Sequence, residues 1–213
     1  MIEKFEPQFI AFITAEMQQD LAHDLNHVLR VVKSAKALAA QEGAKLEVVV
    51  PAAYLHDCVS LPKNHPDRAL SSQLAADKAI AFLRDIDYPS QFYAEISHAI
   101  ITHSFSANQR PQSIEAQIVQ DADRLDALGA IGIARCLQVS TSLGVNLYSS
   151  DDPFAEKREL NDKQFCIDHF YVKLLKLAET MNTPSAAIEA QKRSEVMVIY
   201  LEQLANEISS HVV

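Results

Sequence analysis

A histidine and an aspartate stand side by side in an otherwise apolar stretch, at His56 and Asp57 of the segment VPAAYLHDCV (residues 50–59). Burying an ionisable pair among apolar side chains costs free energy unless something compensates it. A divalent metal ion compensates such a pair, provided that further ligands reach the same point from other parts of the chain. The first question is therefore whether the chain contains those ligands.

Two further side chains with suitable chemistry lie on apolar helical faces. His27 lies one helical turn before Val31, and Asp123 lies four residues after Val119. A lone buried histidine is usually a hydrogen-bonded core residue, and a lone aspartate in a helix is usually solvated. The joint pattern with residues 56–57 is harder to attribute to coincidence. Nitrogen and carboxylate ligands suit Mn²⁺, Fe²⁺, Ni²⁺ or Zn²⁺, and Mg²⁺ less well.

A later helix carries another candidate ligand. His103 continues the apolar stripe that includes Ile96 and Ile100, whereas His98 is displaced toward the edge of that stripe. In the segment DADRLDALG, Asp121 competes with the aspartate two residues after it for the role of ligand. Several ligand types therefore recur on separate predicted helices.

The composition favours helices and limits the partners. Of 213 residues, 48% are hydrophobic and only 4 are glycine, which suits a helical domain with a full core. The net charge is −9 without a basic run, so we expect no bulk nucleic-acid partner. We also expect no signal peptide, because the segment MIEKFEPQFIAF lacks a long apolar stretch, and no membrane span, because no apolar run approaches ~18 residues. The three cysteines are far apart along the chain, which fits a reducing cytoplasm without a disulfide framework.

Apolar residues at helical spacing predict an all-α protein. Asp24 is placed to cap one helix at its start, and Gly43 to end it. Gly129 and Gly132 fall inside a long predicted helix, which indicates close packing with another backbone. We expect the segment 144–163 to be an exposed, mobile loop, with a short hairpin or a lid over the site as alternatives. The predicted helices cover residues 7–21, 25–41, 47–59, 68–85, 89–102 and 113–139, and two more follow residue 163.

The ordered ligand set resembles a known family. His27, the pair at 56–57 and Asp123 follow the H…HD…D order of the HD-domain metal-dependent phosphohydrolases. The flanks that carry the resemblance are HDLNHVLRV at 23–31, AAYLHD at 52–57 and DADRLDALGAIGIAR at 121–135. The chain looks most like small bacterial HD hydrolases similar to nucleotide pyrophosphatases. These have a loop like PKNHPDR after the HD pair and a late segment like HFYVKLL, here 169–175.

The resemblance implies an HD-domain helical bundle with a metal site between its central helices. It makes four residues the metal ligands: His27, His56, Asp57 and Asp123. It favours Asp123 over Asp121 because family members place the ligand directly before a basic residue. The chain lacks the paired adjacent histidines of strictly binuclear members. We therefore expect one tightly held divalent ion, with a second joining only with substrate. Manganese is favoured among Mn, Ni, Fe, Mg and Zn.

The chemistry expected of such a site is hydrolysis at phosphorus. A divalent ion with open positions lowers the pKa of bound water and polarises a phosphoryl oxygen. Asp57 can orient the attacking water as well as bind metal, and His98 or His103 can act as general acid for the leaving group. These two histidines occupy the region where other HD enzymes bring active-site histidines to the phosphate or to a second metal.

Positively charged side chains are expected to stabilise the charge that develops on the phosphate. Lys63 and Arg68 follow the HD pair, and their alternative role is plain loop solvation and helix-start charge. Arg124 follows the last ligand and is a third candidate. Lys173 would by default be a surface lysine, but the resemblance makes it a candidate substrate contact.

We therefore predict a single HD-type domain over residues 1–213, with a C-terminal helical segment at 164–213. The predicted function is nucleoside triphosphate pyrophosphohydrolysis in the cytoplasm, by a monomer or homodimer acting on a small phosphorylated compound. Two alternatives stay open. One is a 5′-nucleotidase or other phosphomonoesterase. The other is a metal-stabilised module that senses a nucleotide without turning it over, against which the intact ligand set argues.

Overall fold

The computed structural model describes residues 2–16, 24–59, 61, 67, 70–104 and 109–209. Within these ranges the regular structure is helical, which confirms the all-α prediction, and one isolated parallel bridge joins Asn146 to Phe165. No helix in the described ranges is long and apolar enough to cross a membrane. The α-helices are α1 (Glu6–Glu16), α2 (Leu25–Glu42), α3 (Leu46–Leu55), α4 (Ser71–Asp85), α5 (Tyr93–His103), α6 (Ile114–Leu125), α7 (Gly129–Ser142), α8 (Cys166–Val172) and α9 (Pro184–Ser209). Short 3-10 helices cover Ile2–Lys4, Ser90–Phe92 and Leu174–Thr180.

The first of two compact units ends at Asp123 and is organised around α3. Helices α1, α2 and α5 pack against α3, and α4 packs against α5. Every residue of α3 from Val48 to Leu55 is buried. Each large aliphatic side chain buried in this way contributes about 1.5–3 kcal/mol relative to an exposed one. The helix that leads into the HD pair is therefore the centre of this unit's core.

The second compact unit begins at Arg124. Helix α7 packs against α8 and α9, and the 3-10 helix Leu174–Thr180 packs against the same two helices. Ile167, Phe170 and Met197 are fully buried in this unit. The prediction of one domain over the whole chain stays a prediction.

Both predicted caps of α2 are confirmed. The Asp24 side chain accepts a hydrogen bond from the backbone N–H of His27 at 2.9 Å, which satisfies one of the unpaired donors at the helix start. Gly43 ends the helix with φ at 70°, in the left-handed region that favours glycine. The capping bond also fixes the backbone of a candidate ligand.

The HD pair lies just after α3 rather than inside it. The structure ends the helix at Leu55, and His56 is its C-terminal cap residue. The N–H of Cys58 donates to the carbonyl of Leu55 at 3.2 Å, which is a turn bond between residues three apart. The prediction of a helix continuing to residue 59 is therefore wrong, because the hydrogen bonds tighten into a turn at this point.

The long helix predicted over 113–139 is in fact two helices, α6 and α7. Gly129 has φ at 69°, and this left-handed conformation breaks the helix between Leu125 and Gly129. A Cβ at Gly132 would lie 2.2 Å from the carbonyl oxygen of Ala127, so the chain approaches itself closely there. The close approach inferred from the glycines exists, but it accompanies a break that apolar spacing did not predict.

Other helix ends differ modestly from the predictions. Helix α1 ends at Glu16, and residues 17–21 of the predicted helix lie outside the described residues, as does the predicted α4 start at Arg68. The helix predicted after residue 163 is interrupted at Lys173, whose φ and ψ of −131° and −57° are not helical. A 3-10 helix then continues the segment to Thr180.

The segment between α7 and α8 has no helix, but hydrogen bonds to carboxylate side chains hold it in place. The buried carboxylate of Asp168 accepts hydrogen bonds from Arg158, including Nη2 at 2.7 Å, and from the N–H of Asn161 at 2.6 Å. The side chain of Asp152 accepts from three backbone N–H groups at 156–158. The alternative of a short hairpin in this segment is wrong, because these residues contain one isolated parallel bridge, between Asn146 and Phe165, and no paired strands.

Candidate metal centre

His56 is fully buried in the first unit, and its two ring nitrogens have different surroundings. Its Nδ1 lies 2.9 Å from the carbonyl oxygen of Ala53. Because a carbonyl only accepts, Nδ1 carries the proton and Nε2 holds a lone pair. Burial lowers the pKa of His56 against the opposing charge of Asp57, which favours the neutral ring. Nε2 is buried and has no hydrogen-bond partner among the described residues.

Carboxylate oxygens face this nitrogen from the two candidate aspartates. The Nε2 atom of His56 lies 3.5 Å from Oδ2 of Asp57 and 3.9 Å from Oδ1 of Asp123. Burial alone would raise the pKa of the Asp57 carboxyl. The adjacent histidines, His56 first and His103 with it, hold that pKa well below its usual range. Asp57 is therefore ionised beside a neutral imidazole, which is the protonation state that metal ligation requires.

His27 reaches the same point from the first turn of α2. Its side chain is fully buried, and its Nε2 lies 3.5 Å from Oδ1 of Asp123 and 3.9 Å from Oδ2 of Asp57. The carboxylate of Asp123 comes from the last turn of α6 and is 30% exposed, so this side of the cluster is open to solvent. The preference for Asp123 over Asp121, a fully buried neighbour, stays a prediction.

The donor set fits a divalent metal ion. Ligand atoms of His27, His56 and Asp57 all lie within 4.8 Å of one another, and Asp123 brings an oxygen to both histidines. Two imidazole nitrogens with carboxylate oxygens are ligands for divalent transition metals. A histidine ligand usually donates its other ring N–H to a carbonyl or carboxylate, as His56 does to Ala53. These residues can therefore hold one ion.

His103 belongs to this cluster but faces a carboxylate. Its Nδ1 lies 2.6 Å from the carbonyl oxygen of Ile100, and its Nε2 lies 3.4 Å from Oδ1 of Asp57. Burial lowers the pKa of His103, but the hydrogen bond to Asp57 and the carboxylate charge outweigh it, so the net shift is upward. The two oxygens of Asp57 are thus divided, with Oδ1 toward His103 and Oδ2 toward the other histidines.

The structure does not bring His98 into the cluster. Its ring is half-buried, and its Nε2 accepts a hydrogen bond from the backbone N–H of Gln112 at 3.0 Å. No ion pair or hydrogen bond among the described residues joins it to Asp57. Of the two histidines proposed for proton transfer, only His103 contacts a candidate ligand.

Of the four side chains predicted to contact phosphate, two lie within the described residues. Lys63 and Arg68 lie outside the described residues. Arg124 donates to the carbonyl of Thr180 within the second unit. Lys173 is exposed at the end of α8. All four roles stay predictions.

Sequence reasoning missed the backbone groups that orient the histidines. Ala53 and Ile100 each accept from a histidine three residues later, at the end of a helix. The signal was present, because the last carbonyls of a helix lack intrahelical donors and a histidine near the end can supply one. Gln120 was also missed: its amide donates to the carbonyl of Thr102 at 2.7 Å and ties α6 to the end of α5.

Comparison with known proteins identifies the family of this chain. The HD domain family matches residues 24–128, a range that contains all four predicted ligands. YpgQ of Bacillus subtilis (strain 168) is 34% identical over 191 residues, which cover 87% of this chain and 84% of YpgQ. The chain belongs to the HD-domain family.

Solved structures of HD-domain relatives extend the similarity to the whole chain. An HD-superfamily hydrolase from Bacillus thuringiensis is 34% identical, with a TM-score of 0.76 and 99% of each chain covered. The crystal structure of YpgQ in complex with ADP has 31% identity and a TM-score of 0.74, covering 96% of this chain and 95% of YpgQ. The HD-domain protein described here is accordingly an enzyme of the metal-dependent phosphohydrolase class.

Proposed function

We propose that this HD-domain protein is a nucleoside triphosphate pyrophosphohydrolase that uses a divalent metal ion, with manganese favoured. The observation that carries the proposal is the convergence of His27, His56 and Asp57, whose ligand atoms lie within 4.8 Å of one another. Imidazole nitrogens and carboxylate oxygens that converge on one buried point are suited to a cation, which compensates their burial. Mixed nitrogen and oxygen ligands suit Mn²⁺ better than Mg²⁺, which prefers oxygen ligands.

Four side chains would hold the ion, and each has a distinct position. His27 and His56 supply Nε2 atoms from the start of α2 and the end of α3, and Asp57 supplies Oδ2. Asp123 completes the set from the partly exposed side. When bound, a divalent ion in such a site activates water and polarises a phosphoryl oxygen. The partial exposure of Asp123 supports entry of substrate from that side.

We assign different roles to the two candidate general acids. His103 has its Nε2 directed at Oδ1 of Asp57, so it orients Asp57 and keeps Oδ2 toward the metal ligands. A bond of this kind fixes ligand geometry and ligand basicity. His98 is half-buried, and no ion pair or hydrogen bond among the described residues joins it to the carboxylates of the cluster. It stays the candidate to protonate the leaving group.

A nucleotide is the proposed substrate class because YpgQ, which resembles this chain along nearly its whole length, has been crystallised with ADP. Lys63, Arg68, Arg124 and Lys173 are the proposed phosphate contacts. The proposed setting is the cytoplasm, as a monomer or homodimer, without bulk nucleic acid or membrane as a partner.

Product analysis tests the proposal. The protein is incubated with Mn²⁺ and a panel of nucleoside mono-, di- and triphosphates, and pyrophosphate and phosphate are measured separately. We expect pyrophosphate and the monophosphate from triphosphates, with no reaction after chelation. Phosphate release from monophosphates would instead identify a phosphomonoesterase. Tight nucleotide binding without any product in excess Mn²⁺ would identify a sensing module.

A further inference from the structure

Two cysteines that are distant along the chain meet inside the second unit. Cys136 lies in the middle of α7 and Cys166 opens α8, and their Sγ atoms are 3.6 Å apart. Both side chains are buried, at 9% and 1% exposure. The spacing of the cysteines along the chain gave no indication of this contact.

The backbone holds both cysteines in place. Cys136 is inside a helix that packs against α8 and α9. The N–H of Cys166 donates to the carbonyl of Asn146 at 2.8 Å, and the N–H of Ile167 donates to that of Leu147 at 3.0 Å. A disulfide requires the two sulfurs to approach to about 2.05 Å. Rotation of side chains between two fixed backbones has to supply the remaining approach.

The two thiols of this pair differ in their surroundings from the third cysteine. The hydrogen bond between them lowers the pKa of Cys166 and raises the pKa of Cys136. Cys58 is also buried, but its Sγ donates to the carbonyl of Ala75 rather than to a thiol. Because the thiolate is the nucleophile, Cys166 is the attacking group.

We propose that Cys136 and Cys166 form a reversible disulfide when a small peroxide reaches them, joining α7 to α8 across the segment between them. The Cys166 thiolate attacks one oxygen of hydrogen peroxide and becomes a sulfenic acid, while the other oxygen leaves as hydroxide and takes up a proton to become water. The Cys136 sulfur then attacks the Cys166 sulfur, the S–O bond breaks, and a second water leaves. In total, two thiols lose two hydrogens and one peroxide gives two waters.

Intact mass of the wild-type protein tests this without a substitution. The reduced, folded chain is treated with hydrogen peroxide, unfolded, alkylated and digested. We expect the mass before alkylation to fall by about 2 Da, a peptide linking Cys136 to Cys166, and alkylation of Cys58 alone. Dithiothreitol should restore three reactive thiols, which is the number of cysteines in the chain. The melting temperature of the oxidised form should rise, because the bond closes a loop of about 30 residues in the unfolded chain.

Three results would overturn the proposal: both thiols still alkylated after peroxide, a bond from either one to Cys58, or an oxidised form that melts below the reduced one. Cys58→Ala is the matched control and should form the same bond at the same rate. Cys136→Ser should prevent the bond and leave a Cys166 sulfenic acid that dimedone traps. Failure here leaves the proposed phosphohydrolase activity untouched, since none of these residues is a candidate ligand.

Discussion

Two buried polar groups of this protein differ in how the chain satisfies them. Asp168 in the second unit accepts from both Arg158 and the N–H of Asn161, so protein groups fully compensate its charge. In the first unit, Nε2 of His56 is buried beside two carboxylates and has no hydrogen-bond partner among the described residues. Burying a polar group without a partner costs free energy, so a buried ligand-type nitrogen without a partner is a candidate for binding an ion. The comparison separates the structural ion pair from the metal centre.

Removing a ligand should have the largest effect. We expect His56→Ala to abolish hydrolysis and the stabilisation by Mn²⁺, which for wild type is about 2.7 kcal/mol at 100-fold excess over Kd. The His56→Ala protein should keep the helical circular-dichroism spectrum of wild type. Thermal melts with and without Mn²⁺ measure the effect. His169→Ala is the control, because His169 pairs with Asp162 in the second unit, and it should keep the full Mn²⁺ shift. A His56→Ala protein with an undiminished Mn²⁺ shift would contradict the assignment.

Breaking the structural pair should lower stability instead. Arg158→Ala leaves the buried Asp168 carboxylate without its cation, and the free energy of unfolding should fall because that charge is then compensated only by backbone N–H groups. Urea unfolding measures this loss, and the Mn²⁺ shift of the folded protein should be unchanged. Lys157→Ala, which removes an exposed neighbouring charge, should change stability by less than about 0.5 kcal/mol. Equal losses of stability in the two variants would show that the Arg158–Asp168 pair does not stabilise the fold.

Acid should reduce the difference between wild type and Arg158→Ala. Burial raises the pKa of Asp168, but the bonds from Arg158 and Asn161 outweigh it and hold that pKa below the unperturbed 3.8. A depressed folded-state pKa contributes stability above the unfolded value, and this contribution is lost as pH falls through the folded value. The stability gap should therefore be largest near neutral pH, narrow as the pH falls through the pKa of Asp168 in the variant, and stop narrowing below the lowered pKa of Asp168 in wild type. Unfolding curves from pH 8 to 2.5 test this, and a gap that widens in acid would refute it.

Substitutions at His103 and at His98 should differ in their effect on Mn²⁺ affinity, and this effect is smaller than that of removing a ligand. His103→Leu removes the donor to Asp57 and should weaken Mn²⁺ affinity by about 10–100-fold, as loss of a group that orients a metal ligand does. His103→Gln keeps a donor and should lose less. His98→Gln, at a residue outside the cluster, should bind Mn²⁺ like wild type. Titration calorimetry with Mn²⁺ measures all three, and equal affinity in His103→Leu and His98→Gln would remove the positioning role.

Much of the fold and the order of the ligands could be predicted because these features are local. Apolar spacing identified the helices, and Asp24 and Gly43 marked both ends of α2 because capping depends on a few adjacent residues. The break at Gly129 could not be predicted from local patterns. A glycine is compatible with a helix interior or with the left-handed turn that the structure contains, and helical spacing does not distinguish them.

The all-α class, the HD-domain family and the candidate metal ligands follow from the amino-acid sequence. Which atoms face one another follows from the packing of the helices. It directed Nε2 of His56 at two carboxylates, turned His103 toward Asp57, and brought Cys136 to Cys166. Periodicity reports which residues share a helical face, because that depends on neighbours within a few positions. Distances between residues far apart along the chain depend on how whole helices pack, and no local pattern encodes them.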